Sequence, residues 1–371
     1  GGGAGDGDDD PAVDPAGSST TTTVDTTTTS ARTDSTPAGG DTSPRAPLTG
    51  EPLGGTVPDD AALVVKIGNN DDRARPQAGL VEADIVFEEL IEGQKTRFAA
   101  VFHSEVPERI GPVRSGRSGD IDLLADLGRP LLAYSGGNST VLHELSAAES
   151  AGVFVDVGFL RVEAPYSRDG ARAAPDNLYF DPSELPDADA QLGPVPLFTY
   201  GASVRSEPGA VGVTVRYPSS AGRESTHIWD RRIGGWVRIQ DGTLHLAEVD
   251  DDLVEIAPTN VVVLSVDYRQ SAADAASPQA VSFGDGEALV LTRGAIVEGT
   301  WHRRTDTVGY LLEDRRGELI ELAPGATWVL LANTGAQRFS AAEVVVLDST
   351  QGESLLAEAR EISASNGNAG T

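Results

Sequence analysis

The chain of 371 residues contains neither Cys nor Met and carries a formal net charge of -29 from 57 acidic and 28 basic residues. Without Cys it has no disulfides, thiol nucleophiles or cysteine-ligated metals. The negative charge disfavours nucleic acid and anionic membrane surfaces as partners of the whole chain, because both would repel it. No apolar run approaches the roughly 18 residues that a membrane-spanning helix needs.

Residues 1–57 are dominated by Gly, Ser, Thr, Pro and Asp, with only a few isolated Val and Leu. Such a segment cannot bury enough apolar surface to offset the conformational entropy of the chain, so the composition predicts a disordered tether. It fits the stalk of an exported lipoprotein, made with a signal peptide and anchored to the outer face of the cell membrane through a lipid-bearing Cys that would precede Gly1. A flexible terminus of a cytosolic protein, or a truncation, is the alternative.

The next segment, residues 58–205, is predicted to be an α+β or α/β domain with a mixed sheet. The apolar run Ala61–Ile67 indicates a buried strand that enters a polar loop. Two further runs, Asp84–Glu92 and Thr96–Ser104, are typical of a β-hairpin. Because strand side chains alternate between faces, we expect one face of the hairpin to be apolar and the other polar. The residues expected on the apolar face are Ile85, Phe87, Ile91, Phe98, Ala100 and Phe102, and those expected on the polar face are Glu88, Glu92, Arg97 and His103.

The polar face of this hairpin has two interpretations. It could be a solvent-exposed surface of mixed charge, or it could orient a bound polar ligand. In the second case Glu88 and Glu92 would serve as acid and base, or as oxygen ligands of Ca²⁺ or Mg²⁺. The spacing does not select among these roles, so the sequence predicts no metal site and no cofactor. His227, His245 and His302 likewise lack the spacing of metal ligands.

A basic segment follows the hairpin. Arg114, Ser115 and Arg117 lie in the approach to a predicted helix over residues 118–127. Free N–H groups at a helix N-terminus, with two guanidiniums beside them, suit a phosphate, sulfate or carboxylate. Structural salt bridges to acidic neighbours are the alternative.

A second strand–helix unit is predicted from the run Pro130–Tyr134 and a helix over residues 140–150. Between them, the turn Ser135–Asn138 resembles glycine-rich turns that receive phosphate, although it lacks the Gly-Lys-Ser/Thr element of a P-loop. The following segment, residues 164–180, is loop-like. It could close over a pocket as a lid, or it could be a plain surface connection, and it contributes Asn177 to the candidate site.

The candidate site is therefore a polar, anion-binding pocket in the first domain. Its predicted ligand-binding residues are Asn69, Arg75, Gln77, Arg97, Arg114, Ser115, Arg117 and Asn177. The candidate catalytic residues are Glu88 and Glu92. Such a density of Arg, Glu and Asn within strand-like sequence suggests a site, because buried charge is costly unless it is paired or used.

The remaining chain changes character. Residues 206–348 hold many short alternating or apolar runs separated by turn formers such as Asp241-Gly242, which predicts a β-rich second domain, either a sandwich or a curled half-barrel. We expect the Trp residues of this part to pack in its core. Residues 349–371 form a polar C-terminal segment, with one helix over residues 353–362 and a disordered end.

Several motifs, taken in order, resemble one family. They are RARPQAGL from Arg73, EADIVFEELIEG from Glu82, TRFAAVFHS from Thr96, IGPVRSGR from Ile110, PDNLYF from Pro175 and GTWHR from Gly299. This pattern is similar to the YerB-like family of bacterial proteins, whose domains are designated DUF3048, and the resemblance spans roughly residues 60–335. It implies a two-domain protein, usually an exported lipoprotein, and it implies no particular activity.

Two functions remain open on the sequence. The first is a cell-envelope protein that binds a cell-wall fragment or an anionic glycan through its first domain. The second is an envelope hydrolase or transferase, in which Glu88 or Glu92 acts as acid/base. In that case Arg97, Arg114 and Arg117 would hold an anionic substrate group. We favour binding, because no set of nucleophile, base and orienting group can be assembled from the sequence.

Overall fold

The computed structural model describes residues 43–185, 192–202, 209–218, 223–250, 252–274, 276–304 and 309–368. Most of the predicted tether, residues 1–42, lies outside the described residues. The same holds for the end of the chain after residue 368. From Ser43 onward the described residues belong to one unit.

Up to residue 202, the described chain contains eight strands and two α-helices. The strands are β1 (Leu63–Asn69), β2 (Gln77–Ala78), β3 (Ile85–Ile91), β4 (Lys95–Phe102), β5 (Leu131–Ala133), β6 (Val155–Asp156), β7 (Tyr166–Arg168) and β8 (Leu178–Phe180). The helices are α1 (Gly119–Leu124) and α2 (Ser139–Ser150). The predicted loop over residues 164–180 therefore contains a short hairpin, β7–β8.

From residue 209 to residue 348, every regular element of the described chain is a strand, in agreement with the predicted β-rich second half. Its strands are β9 (Ala210–Arg216), β10 (Glu224–Asp230), β11 (Gly235–Gln240), β12 (Thr243–Leu244), β13 (Leu246–Val249), β14 (Asp252–Glu255), β15 (Asn260–Val266), β16 (Tyr268–Gln270), β17 (Pro278–Ala280), β18 (Gly284–Thr292), β19 (Ala295–Arg303), β20 (Leu311–Asp314), β21 (Thr327–Asn333) and β22 (Glu343–Asp348). The chain then forms α3 (Ser349–Asn368).

Ten strands form one mixed sheet, in the order β20-β19-β18-β15-β21-β3-β4-β1-β5-β6. β21 pairs in parallel with β3 and β15, and β1 pairs in parallel with β5. β4 runs antiparallel to both β3 and β1. Every residue of β1, β3 and β21 is buried, because both faces of the sheet are covered. The expected mixed sheet is present, and strands from residues 58–205 and 206–348 share it.

A second sheet has the order β12-β11-β10-β9-β22. One of its faces belongs to the main hydrophobic core, which includes the large sheet, and α3 covers the opposite face. The side chains on the core face include Val213, Val215 and Trp236, and those in the cluster under α3 are Ile228, Val237, Ile239, Leu347, Leu356 and Ala359. The two sheets thus enclose a common interior.

The β3–β4 hairpin is confirmed, but its faces differ from the prediction. Glu88 stands opposite Phe98, and Glu89 stands opposite Arg97. Residues directly opposite in paired strands share a face, so Glu88 lies on the side of Phe98 and Arg97 lies on the other side. The prediction that Glu88 and Arg97 share a face is wrong. Because β3 is buried on both sides, its sequence does not alternate and cannot indicate the register.

The ordered body begins earlier than the composition predicts. Residues 46–50 are buried, and Leu48 is completely so. The hydroxyl of Tyr200 donates to Leu48 O, and the Gly325 N–H donates to Thr49 O at 2.8 Å. The prediction of a disordered tether through residue 57 is therefore wrong for this short segment, whose few apolar side chains are hidden among polar neighbours.

The predicted helices are present with altered ends. α1 ends at Leu124 rather than at residue 127. The Asn138 side chain caps α2 by accepting from the Val141 N–H at 2.9 Å. α3 is longer than the predicted helix over residues 353–362. No helix in the described part of the chain is long and apolar enough to cross a membrane.

Candidate functional site

Two clusters of buried and half-buried polar side chains lie on opposite faces of the β3–β4 hairpin. We call the first the arginine cluster; it consists of Arg97, Arg114 and Arg117. We call the second the interior network; it consists of Asn69, Gln77, Glu88, Arg238, Gln240 and His245. The carboxyl ends of the parallel strands β1 and β5 meet at this edge of the large sheet. Open α/β sheets commonly bind ligands at such edges.

Arg97 is the buried member of the arginine cluster. It is 2% exposed and donates to Ser115 O at 3.2 Å and to Asn70 Oδ1 at 3.1 Å. Among the described residues no carboxylate lies within 4.0 Å of its guanidinium, and its Nε has no acceptor. Burial, followed by the nearby charges of Arg117 and Arg114, lowers the pKa of Arg97 to about 9. A cation buried in this way is costly unless a compensating charge approaches it.

The other two arginines reach the surface, and each side chain is 16% exposed. Arg114 Nη1 donates to Asp176 Oδ1 at 3.1 Å, and Arg117 Nη2 donates to Glu92 Oε2 at 2.6 Å. Burial works to raise the pKa of Glu92, but Arg117 and the Ser277 hydroxyl outweigh it, so this pKa lies below its ordinary value. Glu92 is therefore an ionised acceptor at neutral pH and not a proton donor.

The backbone of the arginine cluster is held between β1 and the glycine-rich turn of residues 135–138. The Arg114 N–H donates to Lys66 O at 2.8 Å, and the Ser135 N–H donates to Arg114 O at 3.0 Å. The Gly116 N–H donates to Gly136 O at 3.0 Å. The turn leads directly into α2, whose first turn has no acidic residue. Together these elements form a cationic corner where β1 and β5 end.

A buried ion triad of Lys66, Glu89 and Asp120 lies on the same face of the sheet as Arg97. Lys66 Nζ donates to a carboxylate oxygen of each partner, and all three side chains are at most 4% exposed. Asp120 Oδ2 also accepts from the Arg117 N–H at 2.7 Å. Burial raises the pKa of Glu89; Lys66 opposes this rise, and Asp120 adds to it. The triad thus joins α1 to β1 and β3 and positions the backbone of Arg117.

On the opposite face, Glu88 is completely buried in the interior network. Its Oε2 accepts from Arg238 Nη2 at 2.9 Å, from Trp328 Nε1 at 3.1 Å and from Ser225 Oγ at 3.3 Å. The guanidinium of Arg238 also lies over the Trp328 ring, 4.7 Å from its centroid. All these partners come from the second half of the chain, so Glu88 connects the two halves.

His245 extends the interior network in a single tautomer. Arg238 Nη1 can only donate, so His245 Nδ1 accepts from it, and the His245 Nε2–H donates to Gln77 Oε1 at 2.8 Å. Gln77 Nε2 in turn donates to Gly68 O at 2.9 Å. Burial and the charge of Arg238 hold the pKa of His245 well below its ordinary value. His245 is therefore neutral, and every hydrogen bond along this path has a defined direction.

Asn69 and Arg75 join the same network from the end of β1. Asn69 Nδ2 donates to Thr96 Oγ1 at 2.7 Å and to Gln240 Oε1 at 3.2 Å, while its Oδ1 accepts from Arg75 Nη1 at 3.1 Å. Gln240 Oε1 also accepts from Arg238 Nη2 at 2.7 Å. These side chains therefore satisfy one another within the protein.

His227 provides a testable pH dependence of stability. It is completely buried, neither ring nitrogen has a described partner, and burial followed by the Arg238 charge holds its pKa well below its ordinary value. The unfolded chain takes up a proton at His227 near pH 6.5 and the folded chain does not, so stability is lost as the pH falls below about 6.5. Between pH 7 and pH 5, the free energy of unfolding of the His227→Phe variant should fall by about 2 kcal/mol less than that of the parent.

Urea unfolding at the two pH values measures this difference. The exposed His143 is the matched control, and His143→Gln should leave the pH dependence unchanged. An equal loss in the parent and in His227→Phe would show that His227 is protonated in the folded protein.

The predicted site residues therefore fall into three groups. Those on the side of the arginine cluster are Glu92, Arg97, Arg114, Ser115 and Arg117, and those in or beside the interior network are Asn69, Arg75, Gln77 and Glu88. Asn177 stands apart, because its Oδ1 accepts from Arg168 Nη1 at 2.9 Å on the β7–β8 hairpin. His103, predicted beside Arg97, lies past the far end of β4. Glu88 and Glu92 lie on different faces and cannot act as acid and base on one substrate.

Sequence reasoning missed the ion triad and the second-half members of the interior network. Lys66 carries a usable signal, because it is one of two lysines in the chain and lies in an apolar strand. Arg238 and His245 carry no such signal, because they follow Glu88 by some 150 residues and no local pattern links them to it. Within the described ranges, no group of three or more His, Asp or Glu side chains is placed to hold a metal ion.

Comparison with family models shows the family to which the chain belongs. Residues 48–194 match the model described as "Protein of unknown function (DUF3048) N-terminal domain", and residues 213–329 match the model of the DUF3048 C-terminal domain. The chain belongs to this family, and the resemblance found in the sequence is confirmed. Strands from both matched segments contribute to the ten-stranded sheet.

Two comparisons identify a relative in Bacillus subtilis. The chain is 27% identical over 295 residues to "Putative lipoprotein YerB" of Bacillus subtilis (strain 168), which covers 77% of this chain and 85% of that protein. The crystal structure of YerB protein from Bacillus subtilis is similar with a TM-score of 0.66 and 22% identity, over 81% of this chain and 99% of that chain. At 22% identity, the similarity to this crystal structure shows a shared fold.

Proposed function

We propose that this protein is an exported lipoprotein of the cell envelope that binds an anionic ligand, a cell-wall fragment or an anionic glycan, at the arginine cluster. The observation that carries the proposal is Arg97, a buried cation with two further arginines beside it and no described carboxylate within 4.0 Å. The name of the Bacillus relative supports the lipid anchor and the location on the outer face of the membrane.

The charge balance around the cluster supports an anionic ligand. The cations are Lys66, Arg97, Arg114 and Arg117, and the carboxyl groups are Glu89, Glu92, Asp120 and Asp176. Glu89 and Asp120 pair with Lys66, Asp176 pairs with Arg114, and Glu92 pairs with Arg117. Arg97 is therefore the cation of this set that has no described carboxylate within 4.0 Å. Charge-assisted hydrogen bonds from guanidiniums to carboxylate or phosphate oxygens are among the strongest that proteins make.

Binding without chemistry agrees best with the positions of the carboxyl groups. Glu88 is behind the sheet, where it already accepts from Arg238 and Trp328. Glu92 is held ionised by Arg117 and Ser277. Neither of the two predicted catalytic carboxyls is therefore placed to donate a proton to a leaving group at the arginine cluster, which retains donors for an anion.

The proposal predicts that Arg114→Ala weakens ligand binding about 10- to 100-fold, because one charge-assisted hydrogen bond contributes roughly 1.5–3 kcal/mol. A thermal-shift screen against muropeptides and anionic glycans finds the ligand, since a ligand at 100 times its Kd adds about 2.7 kcal/mol of stability. Each variant is compared with its own unliganded melting temperature, because Asp176 loses its partner in Arg114→Ala.

Two further variants separate position from charge. A methyl group added at Gly68 would lie 2.8 Å from Arg114 Cγ, so Gly68→Ala displaces the guanidinium without removing it and should also weaken binding. Arg129→Ala removes an exposed arginine from the same half of the chain and should have no effect. A ligand that binds Arg114→Ala as tightly as the parent would place the site elsewhere.

A further inference from the structure

A cavity lies between α3, the strands β9 and β10, and the turn that joins β18 to β19. Its volume is about 730 Å³, which is within the range of small-molecule pockets, roughly 300–1,000 Å³. None of its lining residues belongs to the arginine cluster or to the interior network. An inference about this cavity therefore stands or falls independently of the proposed function.

The inner wall of the cavity is apolar. Val211, Ile228 and Leu356 come together there from β9, β10 and α3. Trp229 adds a half-buried indole, which packs against Trp236 with 5.2 Å between the ring centroids. Such a wall favours a ligand with an apolar body, because burying apolar surface drives its transfer from water.

The rim of the cavity is rich in arginine. Arg231, Arg232, Arg293 and Arg360 line it, together with the two carboxylates of Asp230 and Glu353. This excess of cations is the reverse of the whole chain, in which acidic residues outnumber basic ones by 57 to 28. Arg360 is also held by Glu255, through hydrogen bonds of 3.0 and 2.7 Å, so the cations of the rim without a described carboxylate within 4.0 Å are Arg231 and Arg293.

The carboxylate of Asp230 is already occupied. Arg232 Nη2 donates to it at 2.9 Å, and Arg360 Nη2 lies 2.7 Å from it. Arg293 donates one N–H to Gly201 O. Arg231 is exposed, and no carboxylate in the described ranges lies within 4.0 Å of it. Arg231 is therefore available to an incoming anion, and Arg293 can offer it the N–H groups that do not bind Gly201 O.

We infer that this cavity binds an anionic amphiphile, a molecule with a phosphate, sulfate or carboxylate head and an alkyl or aromatic body. The head lies at Arg231 and Arg293 on the rim, where a guanidinium can make two parallel hydrogen bonds to it. The body lies against Val211, Ile228 and Leu356. Only an amphiphile contacts both parts of this site. A free inorganic anion would use the arginine rim alone, and a neutral alkane would use the apolar wall alone.

Decyl phosphate is the probe, added to the full chain below its micelle concentration and followed by calorimetry. We expect it to bind at least tenfold more tightly than inorganic phosphate or decanol. Arg231→Glu should reduce the affinity for decyl phosphate at least tenfold. Ala357→Trp fills the cavity from an exposed position on α3 and should abolish binding, with the fold checked by circular dichroism.

The matched control is Arg316→Glu, which reverses an exposed charge outside the cavity and should leave binding unchanged. Failure of decyl phosphate to bind, or equal binding by the parent, Arg231→Glu and Ala357→Trp, would overturn the inference. Vesicles that contain phosphatidic acid distinguish the source of the head group. Retention on vesicles without any binding of monomeric decyl phosphate would also overturn it, in favour of adsorption at a membrane surface.

Discussion

Replacement of Arg238 by Met is expected to reduce the free energy of unfolding by about 3–5 kcal/mol, because it leaves a buried carboxylate without its cation. Glu88 and Arg238 are both 0% exposed, and their 2.9 Å ion pair lies between the two sheets. Arg238→Met also removes the N–H groups that donate to His245 Nδ1 and to Gln240 Oε1. Urea unfolding at pH 7 measures the loss.

The double variant Glu88→Met/Arg238→Met tests whether the loss arises from charge or from packing. Removing both charges leaves no uncompensated ion, so the double variant should be more stable than Arg238→Met alone. If instead the costs of the two single variants simply add, the two side chains do not interact energetically, and the interior network is not the connection between the two halves that its geometry indicates.

The second large effect is expected at Lys66. Lys66→Met removes the only cation in contact with Glu89 and Asp120 within the ion triad and should cost about 3–5 kcal/mol at pH 7. The pKa of Glu89, already raised by burial, should rise further when its cation is removed. A carboxyl whose pKa is higher in the folded state takes up protons on folding, so stability rises as the pH falls through that range. The deficit of Lys66→Met should therefore be smaller at pH 5 than at pH 7.

The chain provides its own control for this experiment. Lys95, the other lysine, is half-buried at the start of β4 and has no described ion pair within 4.0 Å, so Lys95→Met should change stability little at either pH. A deficit for Lys66→Met that is the same at pH 5 and pH 7 would show that the triad carboxyls do not titrate in this range.

The sequence predicts elements better than it predicts faces. The β3–β4 hairpin, α2 and the strand-rich second half follow from apolar runs and turn formers, which are local signals. The face on which Glu88 lies cannot be predicted in this way, because apolar and polar residues do not alternate in a strand that is buried on both sides. A shift of one residue in the register would move every side chain to the opposite face. The proximity of Arg114 and Arg117 is visible in the sequence, since both directly precede one predicted helix. Arg97 belongs to the hairpin, and no local signal brings it to the other two arginines.

Other features of the site depend on contacts that are distant in sequence. Glu88 meets Arg238 only because β21 inserts beside β3 and brings the second half of the chain with it. No local pattern marks that pairing. The same is true of Leu48, whose burial depends on Tyr200 and on a segment near Gly325. A single sequence therefore gives the list of polar residues but not their division into two clusters.

The pairing of β3 with β21 has a consequence for how the protein is made. β3 is a seven-residue strand with no exposed side chain, and the strand that covers its edge follows it by roughly 240 residues. At a synthesis rate of about 5–20 residues per second, the nascent chain carries this bare apolar edge for some tens of seconds. Uncovered edges of this kind recruit other chains. The ten-stranded sheet can therefore be completed only after β21 has been synthesised, and until then the free edge of β3 is a point at which the chain can aggregate.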